Sequence, residues 1–391
     1  MRQRKPIKII CISTYIPQKC GIATFTKDVT SAINLINPKA LVEIMAIAKK
    51  EEEIVFPWEV KYRIEFDNKE SYLEAADYIN HSSCDVVLIE HEFGIFGGKC
   101  GEYLLDFLKA IKKPKVMTCH TLIEDSENEW GRLFSELVKY VDGLAVMTKF
   151  SAKRLAELYN FDQKNIAVIP HGTPDIAYNS KSIYKKKLEG RLVLGNINLL
   201  SEQKGIDYSI EAVAKIAKKY PEVLYLVIGQ THPNILKNEG EKYRNKLKKK
   251  IKKLGIKKNV KFINKYLSVE ELVEWLKVID IYITPYLDKQ QSSSGALAYA
   301  IGAGKVCISS EYLYAKEVLA NKRGIFVPFK DSDAIAKAVI NVCKDEKRKK
   351  TMQEKAYKYG RLMTWPSVAL QHLDFFTETI KKHGSKNQKA N

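Results

Sequence analysis

The stretch that decides the fold is residues 281–309, IYITPYLDKQQSSSGALAYAIGAGKVCIS. It opens on a short apolar run, Ile281–Thr284, that is typical of a buried β-strand. A polar turn with three consecutive serines follows, and the small apolar residues after Gly295 are typical of a helix. A second apolar run, Val306–Ser309, comes next. This order predicts a strand, a helix and a second strand parallel to the first.

The same alternation extends along the chain in both directions. Short apolar runs alternate with amphipathic stretches such as Tyr208–Lys219, in which Ile210, Val213 and Ala217 recur at helical spacing. The other predicted strands are Ile7–Ile12, Asp85–Ile89, Lys115–Cys119, Leu144–Met147, Ile166–Ile169, Leu192–Leu194, Val223–Ile228, Val260–Phe262 and Ile325–Val327. Alternation of this kind predicts the α/β class, with parallel sheets covered by helices on both faces.

A polar segment at residues 179–191 separates two series of predicted strands and is interpreted as a linker. A chain of 391 residues is typical of two domains. We expect an N-terminal domain over 1–185 and a C-terminal domain over 186–362. Two doubly wound, Rossmann-like domains of similar size are expected to face a cleft, with ligands at the carboxyl ends of the strands.

The composition excludes several kinds of protein. No run of about 20 apolar residues occurs, so no membrane-spanning helix is expected. The basic and then apolar N-terminus is interpreted as the first strand, with a short signal as the alternative. Seven cysteines without a Cys-x-x-Cys pair predict neither disulfides nor a zinc site, and a reducing cytoplasm fits. His91-Glu92 begins like a metalloprotease helix, but Ile95 stands where the second histidine would be, so no metal is expected.

The net charge of +19 is concentrated most sharply at residues 246–258, KLKKKIKKLGIKK, which contain eight lysines. Leu247, Ile251 and Leu254 lie on one face of the predicted helix. We interpret the lysines as a solvated face outside the active site, with a lipid-headgroup or polyanion surface as the alternative. Aromatic residues do not interleave with the lysines, so binding of nucleic acid is not expected.

Polar or glycine-bearing turns follow several predicted strands. Gly21 precedes a helix and could let the backbone approach a phosphate or sugar, with a tight turn as the alternative. His120 ends a strand, where it could hydrogen-bond a sugar hydroxyl or a transferring group, with a structural histidine as the alternative. The sequence contains neither Gly-x-Gly-x-x-Gly nor a Walker A motif, which argues against dehydrogenases and P-loop kinases.

The second half of the chain offers two features suited to an anion. Lys204 precedes a predicted helix and is a natural partner for a diphosphate, although a lone lysine there is more often simply exposed. The turn Ser292-Ser293-Ser294-Gly295 places backbone N–H groups at a helix N-terminus, where anions bind. An ordinary serine N-cap is the alternative.

The order of these pieces is similar to that of retaining glycosyltransferases of the GT-B fold, the group 4 family that includes many mannosyl- and glucosyltransferases. The matching residues span nearly the whole chain and are Gly21, His120, Ile169-Pro170-His171-Gly172, Lys204-Gly205, Gly229, Gly302-x-Gly304 and Glu317. Three positions depart from the family. Its arginine five residues before Lys204 is Leu199 here, and its Glu-x7-Glu pair falls on Gln291 and Tyr299.

The resemblance implies transfer of a sugar from a nucleotide diphosphate sugar to an acceptor hydroxyl, with retention at the anomeric carbon and without a metal or other cofactor. His120 and Gln291 are expected to orient the sugar and act in catalysis. The expected donor-binding residues are Gly21, Lys204, Gly229, Asn264, Ser292, Ser293, Ser294, Gly295 and Tyr299.

The resemblance also implies that the C-terminal domain binds the nucleotide sugar and that the N-terminal domain lies on the side of the acceptor, a glycan or a lipid-linked glycan. HEFGIFGG, residues 91–98, follows a strand directly, and its glycines allow close approach or loop motion. His91, Gly94, Gly97 and Gly98 are therefore expected to form the acceptor-side wall of the cleft, with a purely structural turn as the alternative. In similar proteins the last helix crosses back to the first domain, so residues 363–391 are expected to form that helix and a polar tail, with a kink at Trp365-Pro366.

Two other interpretations stay open. One is a different GT-B enzyme, a nucleotide-sugar epimerase or a glycan phosphorylase, which product analysis or a pyridoxal phosphate absorbance band would reveal. The other is a non-catalytic relative that binds a sugar nucleotide or a glycan without turnover. A cytoplasmic protein is expected, with peripheral contact to the inner membrane face as an open alternative.

Overall fold

The computed structural model describes residues 5–390, with their side chains except at 185, 187 and 386–390. Within that range the strands form two sheets in which every pairing is parallel. The strands are β1 (Ile9–Ser13), β2 (Glu43–Ala48), β3 (Val60–Glu65), β4 (Val86–His91), β5 (Lys115–Cys119), β6 (Gly143–Val146), β7 (Ile166–Val168), β8 (Val193–Ile197), β9 (Leu224–Ile228), β10 (Val260–Ile263), β11 (Ile281–Thr284), β12 (Val306–Ser310) and β13 (Gly324–Val327).

Helices connect most of these strands, as parallel pairing requires. They are α1 (Gly21–Ile36), α2 (Lys69–His81), α3 (Tyr103–Ala110), α4 (Glu129–Leu137), α5 (Lys149–Tyr159), α6 (Ile206–Ala217), α7 (Pro233–Glu239), α8 (Lys242–Lys253), α9 (Val269–Val278), α10 (Gly295–Gly302), α11 (Leu313–Val318), α12 (Ser332–Lys344), α13 (Glu346–Gly360) and α14 (Trp365–Ala390). The predicted α/β class is confirmed.

The chain divides into two compact units. The first comprises residues 1–172 and 365–391, and the second comprises residues 173–364. The sequence analysis placed the boundary at 185/186, whereas here residues 173–185 belong to the second unit. The backbone accounts for this placement, because Thr173 N donates a hydrogen bond to Met363 O at 2.7 Å. Helix α14 belongs to the first unit and continues through the expected polar tail as far as Ala390, while Asn391 lies outside the described residues.

The first unit has a seven-stranded sheet in the order β3-β2-β1-β4-β5-β6-β7. Every residue of β1, β4 and β5 is buried, because helices cover both faces of the sheet. Helix α14 packs against α1 and buries Val368, Leu373 and Phe376. The sequence analysis missed β2 and β3, which are joined by residues 49–59 without a helix.

The second unit has a six-stranded sheet in the order β10-β9-β8-β11-β12-β13. Its central strands β8, β9, β11 and β12 are wholly buried, as the continuous apolar runs in the sequence predict. In each sheet the first strand along the chain lies in the middle, and the next two strands extend the sheet to one edge. The remaining strands then extend it from the middle to the other edge. This order is that of a doubly wound fold.

Candidate functional site

Each sheet contains a point at which the strand order reverses, and ligands of doubly wound folds bind there at the carboxyl ends of the strands. In the first unit the reversal lies between β1 and β4, and in the second it lies between β8 and β11. Glu90 and His91 end β4, and His120 follows β5. Lys204 follows β8, and the serine turn follows β11. The sequence-predicted residues therefore cluster at the expected end of each sheet.

Lys204 lies in the turn Glu202–Lys204 between β8 and α6. Its Nζ lies 4.2 Å from the centroid of the Tyr286 ring, a cation–π contact. Burial lowers the pKa of Lys204 to about 8, and the carboxylate of Asp288 opposes this effect only in part. Among the described residues no carboxylate comes within 4.0 Å of this amine. A desolvated amine without an ion-pair partner is suited to an anionic ligand.

A hydrogen-bonded network of polar side chains holds the Tyr286 ring that Lys204 contacts. The Tyr286 hydroxyl donates to Asn198 Oδ1 at 2.6 Å, and Asn198 Nδ2 donates to Asn196 Oδ1 at 2.8 Å. The ring of Tyr286 stacks on that of Tyr312, with centroids 5.0 Å apart. Tyr286, Tyr312 and Asn196 are buried and Asn198 is partly buried, so these contacts hold the Tyr286 ring in place under the lysine amine.

The serine turn begins α10, as the sequence predicts. Ser294 is the N-cap, and its side chain accepts a hydrogen bond from Leu297 N at 3.3 Å. Gln291 donates its side-chain amide to Ser293 O at 2.9 Å, which tightens the turn. The first N–H groups of an α-helix have no partner within the helix, so this terminus presents donors to an anion. Ser292 and Tyr299 are buried, the latter on α10 itself.

Gly229 and Asn264 follow β9 and β10, and a residue that the sequence analysis missed joins them. The buried guanidinium of Arg244 donates to Gly229 O at 3.1 Å and to Asn264 Oδ1 at 2.8 Å. Gly229 has φ +130°, and an added Cβ would lie 1.9 Å from Asn198 O. Packing between neighbouring loops therefore requires a glycine at position 229, whether or not a donor approaches it.

His120 is held by a buried carboxylate in the first unit. Its Nε2 lies 2.8 Å from Glu90 Oε2, and the two side chains are 4% and 0% exposed. Thr118 Oγ1 donates to the other oxygen of Glu90 at 3.4 Å. The pairing of β4 with β5 brings the two residues together, since Glu90 lies directly beside Thr118 in the register. A carboxylate bonded to a histidine ring fixes the orientation and tautomer of that ring.

An aromatic cluster surrounds the other side of His120. The Phe25 ring of α1 makes edge-to-face contacts with His120, His171 and Trp365, at centroid distances of 4.6, 5.1 and 5.3 Å. Burial lowers the pKa of His171 to about 4. Gly172 follows His171, and an added Cβ there would lie 2.0 Å from the Trp365 ring. The Ile169–Gly172 motif therefore packs against the start of α14 within the first unit.

His91 lies in the core of the first unit and not on a loop surface. It is 3% exposed and is packed against the rings of Phe93, Phe96 and Phe134. Burial, and to a lesser extent His120, lowers the pKa of His91 to about 3. Within residues 5–390, its buried Nδ1 has no hydrogen-bond partner. The ring of His91 is thus enclosed by aromatic side chains, and its expected place in the acceptor-side wall stays a prediction.

The three glycines of residues 91–98 differ in what surrounds them. Gly97 is buried, and an added Cβ would lie 1.7 Å from the backbone oxygen of Phe66. At Gly98, with φ +81°, an added Cβ would lie 2.8 Å from the Tyr103 ring. Gly94 is exposed, has φ +87° and leaves open space around an added Cβ. Packing accounts for Gly97 and Gly98, and Gly94 alone of the three borders open space.

Gly21 and two residues that the sequence analysis left out complete the sites. Gly21 opens α1, is exposed, and has nothing within 4 Å of an added Cβ. Glu90 was passed over because it sits inside an apolar strand, although an acid in such a strand is itself a signal. His232 lies between β9 and α7, where burial and the nearby charge of Lys204 lower its pKa.

No group of three or more His, Cys, Asp or Glu side chains within residues 5–390 is arranged to hold a metal ion. Over the same residues, none of the helices combines the length and apolar character that crossing a bilayer requires.

The fold and the residues at the strand ends define an α/β protein of the GT-B class, and comparison with known proteins agrees. Residues 180–359 match the family model described as "Glycosyl transferases group 1". HepE from Anabaena, solved in complex with UDP and glucose, superposes with a TM-score of 0.75 at 13% identity, over 95% of this chain and all of that one. The expected resemblance to GT-B glycosyltransferases is thus confirmed, in the fold over nearly the whole chain and in the family match over residues 180–359.

Two curated relatives are similar in sequence. A D-inositol 3-phosphate glycosyltransferase of Corynebacterium urealyticum is 24% identical over 250 residues, which are 62% of this chain and 58% of that protein. A phosphatidyl-myo-inositol mannosyltransferase of Mycolicibacterium smegmatis is 23% identical over 201 residues, which are 51% of this chain and 48% of that protein. The chain therefore spans about half the length of each of these two relatives.

Proposed function

We propose that the protein is a glycosyltransferase that moves a sugar from a nucleotide diphosphate sugar to an acceptor hydroxyl. The observation that carries the proposal is Lys204, a partly buried amine without an ion-pair partner among the described residues, in the unit that matches the glycosyltransferase model. A relative of the same fold has been solved with UDP and glucose, which supports a donor of this class. The resemblance further implies retention at the anomeric carbon and no requirement for a metal.

In this proposal the second unit binds the donor. Lys204 and the N–H groups at the start of α10 stabilise the leaving diphosphate, since cations and helix N-termini both favour developing negative charge. Gln291 and Tyr299, where the family has two glutamates, offer neutral groups to the sugar and the ribose. Asn264 lies exposed at the end of β10, within reach of a ligand, and is oriented by Arg244.

The first unit supplies His120, which Glu90 holds in one orientation. We propose that His120 acts on the transferring sugar or its hydroxyl proton, as a positioned histidine can. The acceptor is proposed to be a glycan or a lipid-linked glycan. Because His91 is enclosed, the acceptor-side role in residues 91–98 is now assigned to the open position at Gly94.

A donor screen tests the proposal directly. The thermal unfolding midpoint is measured with UDP-, GDP-, ADP- and dTDP-sugars, because a bound ligand raises the apparent stability. We expect one nucleotide class to raise the midpoint, and the Lys204→Ala variant to lose most of that rise. Transfer by the parent protein is then followed with that donor and a pool of glycan acceptors, and the product linkage is read by NMR. Donor binding without transfer to any acceptor would instead support a non-catalytic relative.

A further inference from the structure

The most strongly charged surface of the molecule lies on the second unit and is not used by the proposed reaction. Residues 242–261 contain ten lysines and one arginine and no acidic residue. The arginine is the buried Arg244, and Tyr243, Leu247 and Ile251 share its side of α8. The lysines lie on the opposite side of the helix and on the segment that follows it.

Eight of these ten lysines are exposed and have no carboxylate within 4.0 Å among the described residues. Only Lys246 and Lys250 form ion pairs, with Glu202 and with Asp207 and Glu211 respectively. We call the remaining eight the lysine surface, and its members are Lys242, Lys248, Lys249, Lys252, Lys253, Lys257, Lys258 and Lys261.

The lysine surface works against the stability of its own helix. Lys248 and Lys252, and likewise Lys249 and Lys253, are like charges four residues apart on one helix face, an arrangement that destabilises a helix. The helix dipole favours Lys252 and Lys253 in the last turn of α8, but it does not offset the charges of Lys248 and Lys249 further from that end. Such an excess of like charge points to a function outside the chain. Leu254, at the end of α8, is 39% exposed and lies between two pairs of these lysines.

We infer that the lysine surface docks the protein on an anionic lipid bilayer. Lysine is a strongly hydrated point charge that is attracted to a negatively charged leaflet without requiring a defined geometry. Nucleic-acid surfaces instead combine basic residues with aromatic side chains for stacking, and residues 245–261 contain no aromatic residue and no arginine. The exposed Leu254 adds an apolar contact at the level of the headgroups. The inference does not depend on the proposed activity.

Vesicle co-sedimentation of the full chain tests the inference. The probe is phosphatidylcholine vesicles with about one third phosphatidylglycerol, compared with pure phosphatidylcholine at low and high salt. The test variant changes Lys248, Lys249, Lys252 and Lys253 to Gln. We expect it to reduce the partition coefficient on anionic vesicles at least about a hundredfold, because each lysine near such a surface is worth roughly fivefold.

The control variant removes the same charge from another helix of the same unit. Lys347, Lys350, Lys355 and Lys358 are exposed residues of α13, and their change to Gln is expected to alter partitioning only about twofold. An equal loss in both variants would show that net charge, not this surface, drives binding. Binding to pure phosphatidylcholine that salt does not weaken would also overturn the inference. So would displacement of the protein from anionic vesicles by single-stranded RNA added at an equal charge.

Circular dichroism and thermal unfolding establish that each variant is folded. Should the fourfold variant fail to fold, the single changes Lys249→Glu and Lys253→Glu replace it, since both side chains are exposed and unpaired. Each is expected to weaken binding to anionic vesicles about tenfold. If neither change weakens binding, the inference is wrong.

Discussion

At the scale of the residue, the first prediction concerns the charge of Lys204. With the pKa of its amine near 8, Lys204 is protonated at neutral pH and loses its proton as the pH rises through about 8. A diphosphate binds the protonated form, so its binding raises the pKa and the affinity falls on the alkaline side. We expect donor affinity to fall roughly tenfold between about pH 7 and about pH 9, measured by calorimetry.

Two variants separate this charge from other effects of pH. Lys204→Arg keeps its charge throughout this range and is expected to lose the alkaline decline. Lys204→Ala removes a charge-assisted contact worth about 1.5–3 kcal/mol, so we expect donor affinity and turnover to fall together about tenfold to a hundredfold. If the affinity of Lys204→Ala for the donor matches that of the parent, the diphosphate does not bind at Lys204.

The second residue-scale prediction concerns Glu90. Because its carboxylate accepts from the ring of His120 in a buried site, Glu90→Gln leaves a similar shape but removes the charge that fixes the ring. We expect turnover to fall about tenfold to a hundredfold with donor affinity nearly unchanged, and His120→Ala to lower turnover at least as much.

The split between turnover and donor affinity distinguishes this positioning role from a merely structural one. Glu90→Gln is expected to lower kcat while donor affinity and the unfolding midpoint stay near those of the parent, whereas a packing defect would lower the unfolding midpoint as well. Thermal unfolding provides the control for folding. A folded His120→Ala variant that transfers sugar at the parent rate would leave His120 with only a structural role.

At the scale of the element, residues 91–98 yield a prediction that compares two glycines. Gly97→Ala places a Cβ against the backbone of Phe66, which is not free to move, so we expect a loss of several kcal/mol in the free energy of unfolding or no folded protein. Gly94→Ala meets open space and carries only the cost of its positive φ, about 1–2 kcal/mol. Chemical denaturation of both variants measures the difference.

The folded Gly94→Ala variant then tests the acceptor side. We expect it to raise the acceptor KM or lower kcat while donor affinity stays near that of the parent, since Gly94 and Lys204 belong to different units. A pair of titrations, one for each substrate, decides this. If donor affinity falls and acceptor KM does not change, the loop belongs to the donor side.

The strands also show why some elements can be predicted from the sequence and others cannot. Strands β5 and β11 have the predicted bounds, because each is a continuous apolar run between clear turns. Strand β2, EIMAIA, consists largely of good helix formers, and the edge strand β3, VKYRIE, is half polar. Pairing with neighbouring strands, and not local propensity, therefore determines that both segments are strands. Their connection also lacks the helix that the alternating pattern requires.

The same reasoning applies to the candidate sites. Lys204 and Ser294 could be found because each follows a strand and precedes a helix, which is a local pattern. The partnership of Glu90 with His120 joins residues 30 positions apart and follows only from the adjacency of β4 and β5. The enclosure of His91 depends on rings from several elements, and no local pattern indicates it.

At the scale of the whole molecule, the first unit is discontinuous in sequence, because α14 completes it after the second unit has ended. Val368, Leu373 and Phe376 of α14 are buried there, and an added Cβ at Gly143 would lie 2.7 Å from the Phe375 ring. Burying each such side chain contributes about 1.5–3 kcal/mol, so together they approach the whole stability of a typical domain. The second unit, residues 173–364, contains none of α14.

A chain that ends at residue 364 is therefore expected to lose the fold of the first unit and to keep that of the second. Hydrogen exchange is expected to show unprotected amides in β1 and β4, while β8 and β11 stay protected. The control ends at Ser385, because Thr379 is the last buried residue among the described side chains of α14 and Ile380–Ser385 are partly or fully exposed. That chain is expected to protect both sheets. If β1 and β4 are protected equally in the chain ending at 364, α14 is dispensable to the fold of the first unit.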